Sequence, residues 1–316
     1  MKKLIVLCIV GPTASGKTAL AVELASRCGG EIISADAVAV YPGLDIGSAK
    51  PTAEERRGIP HHLIDCAELT NNDFTVSTFR TMAREALDDI ISRDRQPIVV
   101  GGSGLYLDAV FSDMQFSTPS DPAIRASIEK EYDHDPKTVF DTLREYDPVT
   151  ASRLHPNDKK RVVRALEVYR ITGKPFSDLN RSFASAQQGD DTYRTLRIGL
   201  NMDRSILYDR IDRRVDQMMK SGLREEAYSL FEQGLTPENF RALQSIGYAQ
   251  LYDAYIGKCS LPEAIGQIKL DTRHFAKRQI TWFKRDPNTT WFDVTKLSID
   301  ELAQKTMEIL EWKSMN

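Results

Sequence analysis

Eight consecutive residues, Gly11, Pro12, Thr13, Ala14, Ser15, Gly16, Lys17 and Thr18, read G-x-x-x-x-G-K-T, the pattern of a loop that wraps phosphate. The glycines let backbone N–H groups turn inward around phosphate oxygens, and the N-terminus of the helix that follows adds partial positive charge. Lys17 supplies a full charge, and the Thr18 hydroxyl can ligate a magnesium ion carried on the phosphates. The motif predicts binding of a diphosphate or a triphosphate and does not say which. A second reactive group is Asp36, placed just after the short apolar run Glu31, Ile32, Ile33, Ser34. A carboxylate there suits three roles: general base beside the phosphates, magnesium ligand through water, or cap of its own loop. Hydrolases and kinases built on such a loop usually carry an acid after a second buried strand, to order magnesium and water. Here Ile98, Val99 and Val100 run instead into Gly101, Gly102, Ser103 and Gly104, which speaks against a standard ATPase.

The elements that must hold these groups follow from periodicity. The apolar run 4–10 before the loop reads as a buried strand and 19–25 after it as a helix. Residues 75–93 place Val76, Phe79, Ala83, Ala86, Leu87, Ile90 and Ile91 on one side of a helix, and 97–100 form another buried strand. Strand alternating with helix predicts an α/β fold with a parallel sheet, ligands lying beyond the carboxyl ends of its strands. From about 119 to 187 only helical signals occur. Asp121-Pro122 and Asp147-Pro148 read as helix starts, Asn157 as a third cap, and Gly173 before Pro175 as a stop. Past the polar stretch Gln187, Gln188, Gly189, Asp190, Asp191, a strand over 196–200 returns to the sheet. A helix then carries Leu207, Ile211, Val215 and Met218 inward, and Ser260-x-x-Glu263 and Ser298-x-x-Glu301 open two more. The expected organisation is a core of 1–118 plus 188–316, with an all-helical insertion over 119–187.

Three basic stretches ride on these helices. Lys160, Arg161 and Arg164 lie away from Val162, Val163, Leu166 and Tyr169; Arg210 and Arg214 are spaced i, i+4; Arg273, Lys277 and Lys284 share a stripe interleaved with Trp282 and Phe283. Basic side chains beside aromatics suit phosphate contacts with base stacking, and any one stretch alone also suits a solvated helix face. The net charge of −3 means that nucleic-acid binding must come from such local patches. Adjacent His61 and His62 do not share a face in helix or strand, so a structural or loop role is expected rather than metal binding. Cys8, Cys28, Cys66 and Cys259 form no C-x-x-C pair, so reduced and mostly buried thiols are expected, with no zinc site or disulfide framework. No apolar run is long enough to span a bilayer, and the apolar start runs into the phosphate loop rather than a cleavage site; a cytoplasmic, membrane-free monomer is expected.

Taken in order, the motifs resemble one family. To the phosphate loop and Asp36 are added Val40-Tyr41, the block Gly43, Leu44, Asp45, Ile46, Gly47, Ser48, Ala49, Lys50, Pro51, and the block Ile59, Pro60, His61, His62, Leu63, Ile64, Asp65. Val100 through Tyr106, His155-Pro156-Asn157-Asp158 with Arg161 and Arg164, Gly247-Tyr248, and Lys277, Arg278, Gln279, Ile280, Thr281, Trp282 complete the set. Over nearly its whole length the chain resembles the bacterial tRNA dimethylallyltransferases, also called tRNA isopentenyltransferases. The resemblance implies a P-loop NTPase-like sheet flanked by helices, with the helical insertion gripping a tRNA anticodon stem-loop. It implies transfer of a dimethylallyl group from dimethylallyl diphosphate to the exocyclic amine of the adenosine 3′ of the anticodon, with release of diphosphate. The loop residues 11–18 would hold that leaving group, with Mg2+ on Thr18, and Lys17 and Arg214 would share its charge. Asp36 matches the base, and Ser103 stands where the family usually has threonine. Contact with tRNA is implied for Asp36, Ala37, Val38, Ala39, Ser103, Arg125, Lys160, Arg161, Val162, Val163, Arg164, Gly247, Tyr248, Lys277, Arg278, Gln279, Trp282, Lys284 and Arg285. Two positions depart from the pattern: Ala37 and Ala39 stand where the family commonly has serine and often glutamine, which removes two side chains that could bond the target base.

Rival readings are a transferase using a free adenine nucleotide, a small-molecule kinase, and a non-enzymatic RNA-binding module. The helical insertion and the basic segment 277–285 favour a large RNA acceptor over a free nucleotide.

Overall fold

The computed structural model describes residues 5–112, 120–179 and 193–315. Two compact units are present, one of Met1–Phe111 with Asp191–Asn316 and one of Ser112–Asp190. The boundaries expected at 118/119 and 187/188, and the polar stretch 187–191, lie outside the described residues.

The first unit is built on six parallel strands. In chain order they are β1 (Ile5–Val10), β2 (Glu31–Ser34), β3 (His61–His62), β4 (Pro97–Val100), β5 (Arg194–Asn201) and β6 (Thr290–Asp293). They lie in the order β3-β2-β4-β1-β5-β6, every neighbour parallel. Two strands were not foreseen: β3, in the histidine pair, and β6, whose four residues are all only half-buried. Both are edge strands, too short for a periodic signal.

The central strands read as continuous apolar runs because both faces of the sheet are covered. Along β1 the residues alternate between two cores: Val6, Cys8 and Val10 face one, Ile5, Leu7 and Ile9 the other. The second face is closed by α1 (Lys17–Cys28), through Leu20 and Leu24, and by α14 (Ile299–Met315), through Leu302 and Leu310. Residues between them that matter below are α2 (Ala53–Arg56), α3 (Val76–Ser92) and α4 (Gly104–Phe111). The first face is closed by α3 and by the later helices α10 (Arg204–Lys220), α11 (Leu223–Glu232), α12 (Tyr248–Tyr255) and α13 (Leu261–Phe283). Each Leu or Ile fully buried here contributes about 1.5–3 kcal/mol, so the sheet is the rigid platform of this unit.

The second unit comprises α5 (Pro122–His134), α6 (Pro136–Tyr146), α7 (Pro148–Ala151), α8 (Lys159–Thr172) and α9 (Phe176–Leu179). Its own core holds Ile128, Tyr132, Val139, Phe140, Leu143, Val162, Val163 and Leu166. Three of its helices start on Asp-Pro, with Asp121, Asp135 and Asp147 each accepting backbone N–H bonds; the start at Asp135 was missed in the sequence. The cap of α8 is Asp158, not Asn157: its carboxylate accepts from the Arg161 amide, while the Asn157 amide is spent on the His155 ring. A full negative charge at the positive end of the helix favours the aspartate.

Candidate active site and nucleic-acid faces

The carboxyl ends of β1, β2 and β4 sit side by side, with Ile9 opposite Val100 and Ser34 opposite the same residue. Three loops therefore leave the sheet together: the phosphate loop, the segment carrying Asp36, and residues 101–103. At the first of these the chain must be glycine. Gly11 has φ +139°, and a Cβ there would lie 2.5 Å from the Leu200 carbonyl oxygen on β5.

The loops open onto a cavity of about 390 Å³. Of the expected site residues, Thr13, Ala14, Ser15, Gly16, Lys17, Thr18, Asp36, Ala39, Arg214 and Gln279 line it. Ser103 acts one step back, its hydroxyl accepting the Ala37 N–H at 3.1 Å and so fixing the residue after Asp36. Asp36 is oriented by its own loop: Oδ1 accepts the amides of Val38 and Ala39 at 2.8 and 3.1 Å. Its Oδ2 accepts no hydrogen bond among the described residues. The loop-cap role is thus real and leaves one carboxylate oxygen for chemistry.

Lys17 donates to the Pro12 carbonyl at 2.6 Å. Burial, then the Arg214 charge, pull its ammonium down to about 7, with Asp36 offsetting part of the shift. Burial likewise pulls the Arg214 guanidinium down from its ordinary value, against the attraction of Glu55 and Asp36. Neither cation has a carboxylate at ion-pair distance among the described residues. Two half-buried positive charges facing one cavity, with no carboxylate at ion-pair distance among the described residues, suit an anion. The Ser15 hydroxyl, also in this wall, is buried with no partner among the described residues.

The sequence reading missed several lining residues, among them Lys50, Glu55, His61 and Phe275. Lys50 and His61 belonged to blocks already noticed, without a role; Glu55 and Phe275 gave no signal. Lys50 is nearly buried and anchored on the Tyr41 carbonyl, Asp45 and Asp65. The histidines divide. His62 bonds the buried Glu31 at 2.8 Å, a structural role as expected. His61 faces the cavity, with Nδ1 on the Ile59 carbonyl at 2.8 Å and Nε2 buried with no partner among the described residues; burial holds it below its usual range. Of the four free thiols only Cys8 is fully buried, and burial pushes it up to about 12.

The candidate tRNA contacts separate into surface and core. Lys277 and Arg278 on α13, and Lys284 and Arg285 just past its end, are exposed. The Arg285 guanidinium lies 3.9 Å over the Trp282 ring, whose Nε1 donates to Asp108 at 2.8 Å, so an aromatic and a cation are fixed as a stack. Arg273, expected on the same stripe, is instead paired with Asp212. In the helical unit Lys160 and Arg161 are exposed, Arg161 pairing with Asp158 at 3.0 Å. Arg125 and Arg164 converge on Glu167, each at 2.7 Å, with the carboxylate completely buried.

Five expected contacts need correction. Val162 and Val163 are core residues of the helical unit, with no side-chain surface to offer an RNA. Tyr248 is fully buried, its ring so close under Gly47 that a Cβ there would meet it at 2.5 Å, and its hydroxyl donates to Glu226; Gly247 is the buried cap of α12. Gln279 is buried too, both ends of its amide used inside the protein. Burial explains each: a motif match places a residue near a function without saying which way its side chain points.

Comparison with known proteins agrees with this geometry. The family model described as IPP transferase matches residues 39–286. The tRNA dimethylallyltransferase of Geobacillus thermodenitrificans (strain NG80-2) is 45% identical over 309 residues, 97% of this chain and 95% of the relative. That of Desulfitobacterium hafniense (strain Y51) is 47% identical over 294 residues, 93% and 92% of the two chains. Among solved structures, the full-length tRNA isopentenylpyrophosphate transferase from Bacillus halodurans superposes with a TM-score of 0.73 at 40% identity, covering 99% of both chains. A eukaryotic dimethylallyltransferase acting on tRNA gives a TM-score of 0.77 at 29% identity, over 96% of this chain and 78% of its own. A family match over most of the chain, and relatives of this identity over nearly all of it, leave one conclusion: the chain belongs to the IPP transferase family, the tRNA dimethylallyltransferases.

Proposed function

We propose that this enzyme transfers a dimethylallyl group from dimethylallyl diphosphate to the exocyclic N6 amine of the adenosine 3′ of a tRNA anticodon, releasing diphosphate. The observation that carries the reading is the pairing, in one cavity, of two half-buried cations, with no carboxylate at ion-pair distance among the described residues, and an oriented carboxylate: Lys17 and Arg214 with Asp36. In the reaction the amine nitrogen bonds to C1 of the dimethylallyl group as the C1–O bond breaks. The electron pair leaves on diphosphate, and the amine proton passes to Asp36. Lys17, Arg214 and the loop amides stabilise the charge that grows on the departing oxygens, the largest catalytic contribution available to such a site. Ser103 holds the backbone that aims Asp36.

A magnesium ion fits the donors present. The Thr18 hydroxyl and the Ser15 hydroxyl, which has no partner among the described residues, are hard oxygens lining the cavity, and magnesium commonly sits on one or two protein oxygens plus substrate phosphates. When bound it neutralises diphosphate charge. The exposed Lys160 and Arg161 of the helical unit, and Lys277, Arg278, Lys284 and Arg285 on α13 and just past its end, suit RNA phosphates, with the Arg285–Trp282 stack available to a base.

Unmodified tRNA incubated with dimethylallyl diphosphate, then digested and analysed by nucleoside mass, is expected to yield dimethylallyl-adenosine; ATP consumption with no such product overturns the reading. Asp36→Asn is expected to keep diphosphate and tRNA binding and to slow single-turnover transfer by roughly a hundredfold or more, the scale of a lost general base.

A further inference from the structure

Gln279 is the side chain through which the long helix α13 reaches the reaction centre. Its Oε1 accepts the Thr13 N–H of the phosphate loop at 2.8 Å, and its Nε2 donates to the Gly102 carbonyl at 3.0 Å. The amide orientation is fixed by chemistry: a backbone N–H must face the oxygen and a carbonyl must face the nitrogen. The side chain is only 5% exposed, so neither end has water to fall back on. Gly102 is shaped around it, since a Cβ there would lie 2.1 Å from Nε2.

The two loops it joins carry the two halves of the reaction. Thr13 belongs to the loop that holds the leaving group. Gly102 precedes Ser103, whose hydroxyl accepts from Ala37 and whose amide donates to the Ala35 carbonyl, on either side of Asp36. One amide therefore sets the separation of the leaving-group loop from the base. Two residues before and one before it on the same helix lie the exposed Lys277 and Arg278, and just past the helix end lie the exposed Lys284 and Arg285.

We propose that Gln279 is a positioning residue for transfer, holding the phosphate loop and the Asp36 loop at their working distance, rather than a tRNA contact. The inference rests on the reading of this cavity as the transfer site. Misplacing reacting groups by about 1 Å can cost on the order of a hundredfold in rate, and that is the effect at stake.

The test is steady-state and single-turnover transfer by Gln279→Ala and Gln279→Glu, with the parent enzyme assayed alongside so that failure of the transfer reading itself is seen there. Gln279→Ala is expected to lower kcat by roughly a hundredfold while leaving KM for tRNA within about twofold. A raised KM for tRNA with kcat unchanged would make Gln279 a tRNA contact and overturn the proposal. Gln279→Glu keeps an acceptor for Thr13 but sets a carboxylate against the Gly102 carbonyl. Protonation of the introduced carboxyl restores a donor, so its rate relative to the parent is expected to climb as pH falls; a flat ratio also counts against the proposal. Gly102→Ala is expected to impair the parent and to be harmless in the Gln279→Ala background, where the amide it strikes is gone. Equal impairment in both backgrounds would show that the contact is not what matters, and this comparison holds even if one single variant is poorly folded.

Discussion

The cavity of the sheet unit and the arginine pair of the helical unit treat positive charge in opposite ways. Lys17 and Arg214 are half-buried with no carboxylate at ion-pair distance among the described residues, and desolvation works against their charge. Arg125 and Arg164 share the buried Glu167, which also accepts from the Ser120 hydroxyl and the Asp121 amide. Burial pushes the Glu167 carboxyl up, but the hydrogen bonds from Ser120, Arg164 and Arg125 outweigh it and hold it below the usual carboxylate range. The first region is incomplete until an anion binds. The second is complete in itself, with the guanidinium groups already immobilised. Charge left unpaired in a cavity marks where a ligand supplies the counter-charge; charge paired inside marks where the protein has fixed a surface in advance.

The strongest way to break this contrast is to remove the unpaired charge. Lys17→Ala is expected to cost on the order of 3 kcal/mol in kcat/KM for dimethylallyl diphosphate, as for other preorganised charge partners, with little change in melting temperature. If the variant instead hydrolyses nothing, transfers normally and merely melts earlier, Lys17 is structural.

The matching change in the helical unit should do the reverse. Glu167→Ala is expected to lower stability by about 1–3 kcal/mol, the scale of lost charge-assisted hydrogen bonds with part-exposed arginines that can rehydrate. Chemical denaturation measures it, and single-turnover rate at saturating tRNA should hold. A rate loss without a stability loss would move Glu167 into the active site.

Protonation sharpens the first half of the contrast. The Lys17 ammonium is pulled from an ordinary 10.5 to about 7, so the free enzyme releases its proton above that pH while the unfolded chain keeps it. The unfolded state then binds more protons, and this residue makes the free protein more stable as pH rises from about 7 towards 10.5. Bound diphosphate restores the charge, so its affinity should move the other way, falling by at most about tenfold per pH unit above neutrality. Calorimetric titration of inorganic diphosphate in buffers of different ionisation enthalpy would detect the proton uptake. Lys17→Ala should abolish it.

The smallest effect concerns exposed charge. Lys277→Ala/Lys284→Ala is expected to flatten the dependence of tRNA affinity on salt by about one unit per residue, leaving diphosphate affinity unchanged. An unaltered slope would mean that this face is only solvated.

What was legible in the sequence was what is local. Eight adjacent residues specify the phosphate loop, because a tight turn, inward amides and a helix N-terminus need only neighbours. The caps at Asp121, Asp147, Ser260 and Ser298 were equally readable, since a side chain and an amide two or three residues on close the bond. The buried strands announced themselves by unbroken apolar runs, and the resemblance supplied roles for Asp36, Ser103 and Arg214, which residue type and position had already singled out. The edge strands β3 and β6 stayed hidden because their pairing partners, not their own residues, make them strands.

Tertiary structure decided which matched residues face out. Lys160 and Val162 are two positions apart, one in water and one in the core. It brought Phe275 and Glu55, neither of them part of a recognised motif, into the cavity wall. Above all it set Gln279 against Thr13, 266 residues away, and against Gly102, 177 residues away. No local rule encodes those bonds: a buried glutamine takes whatever donor and acceptor the packed sheet and helix present to it, and only the folded chain fixes which they are.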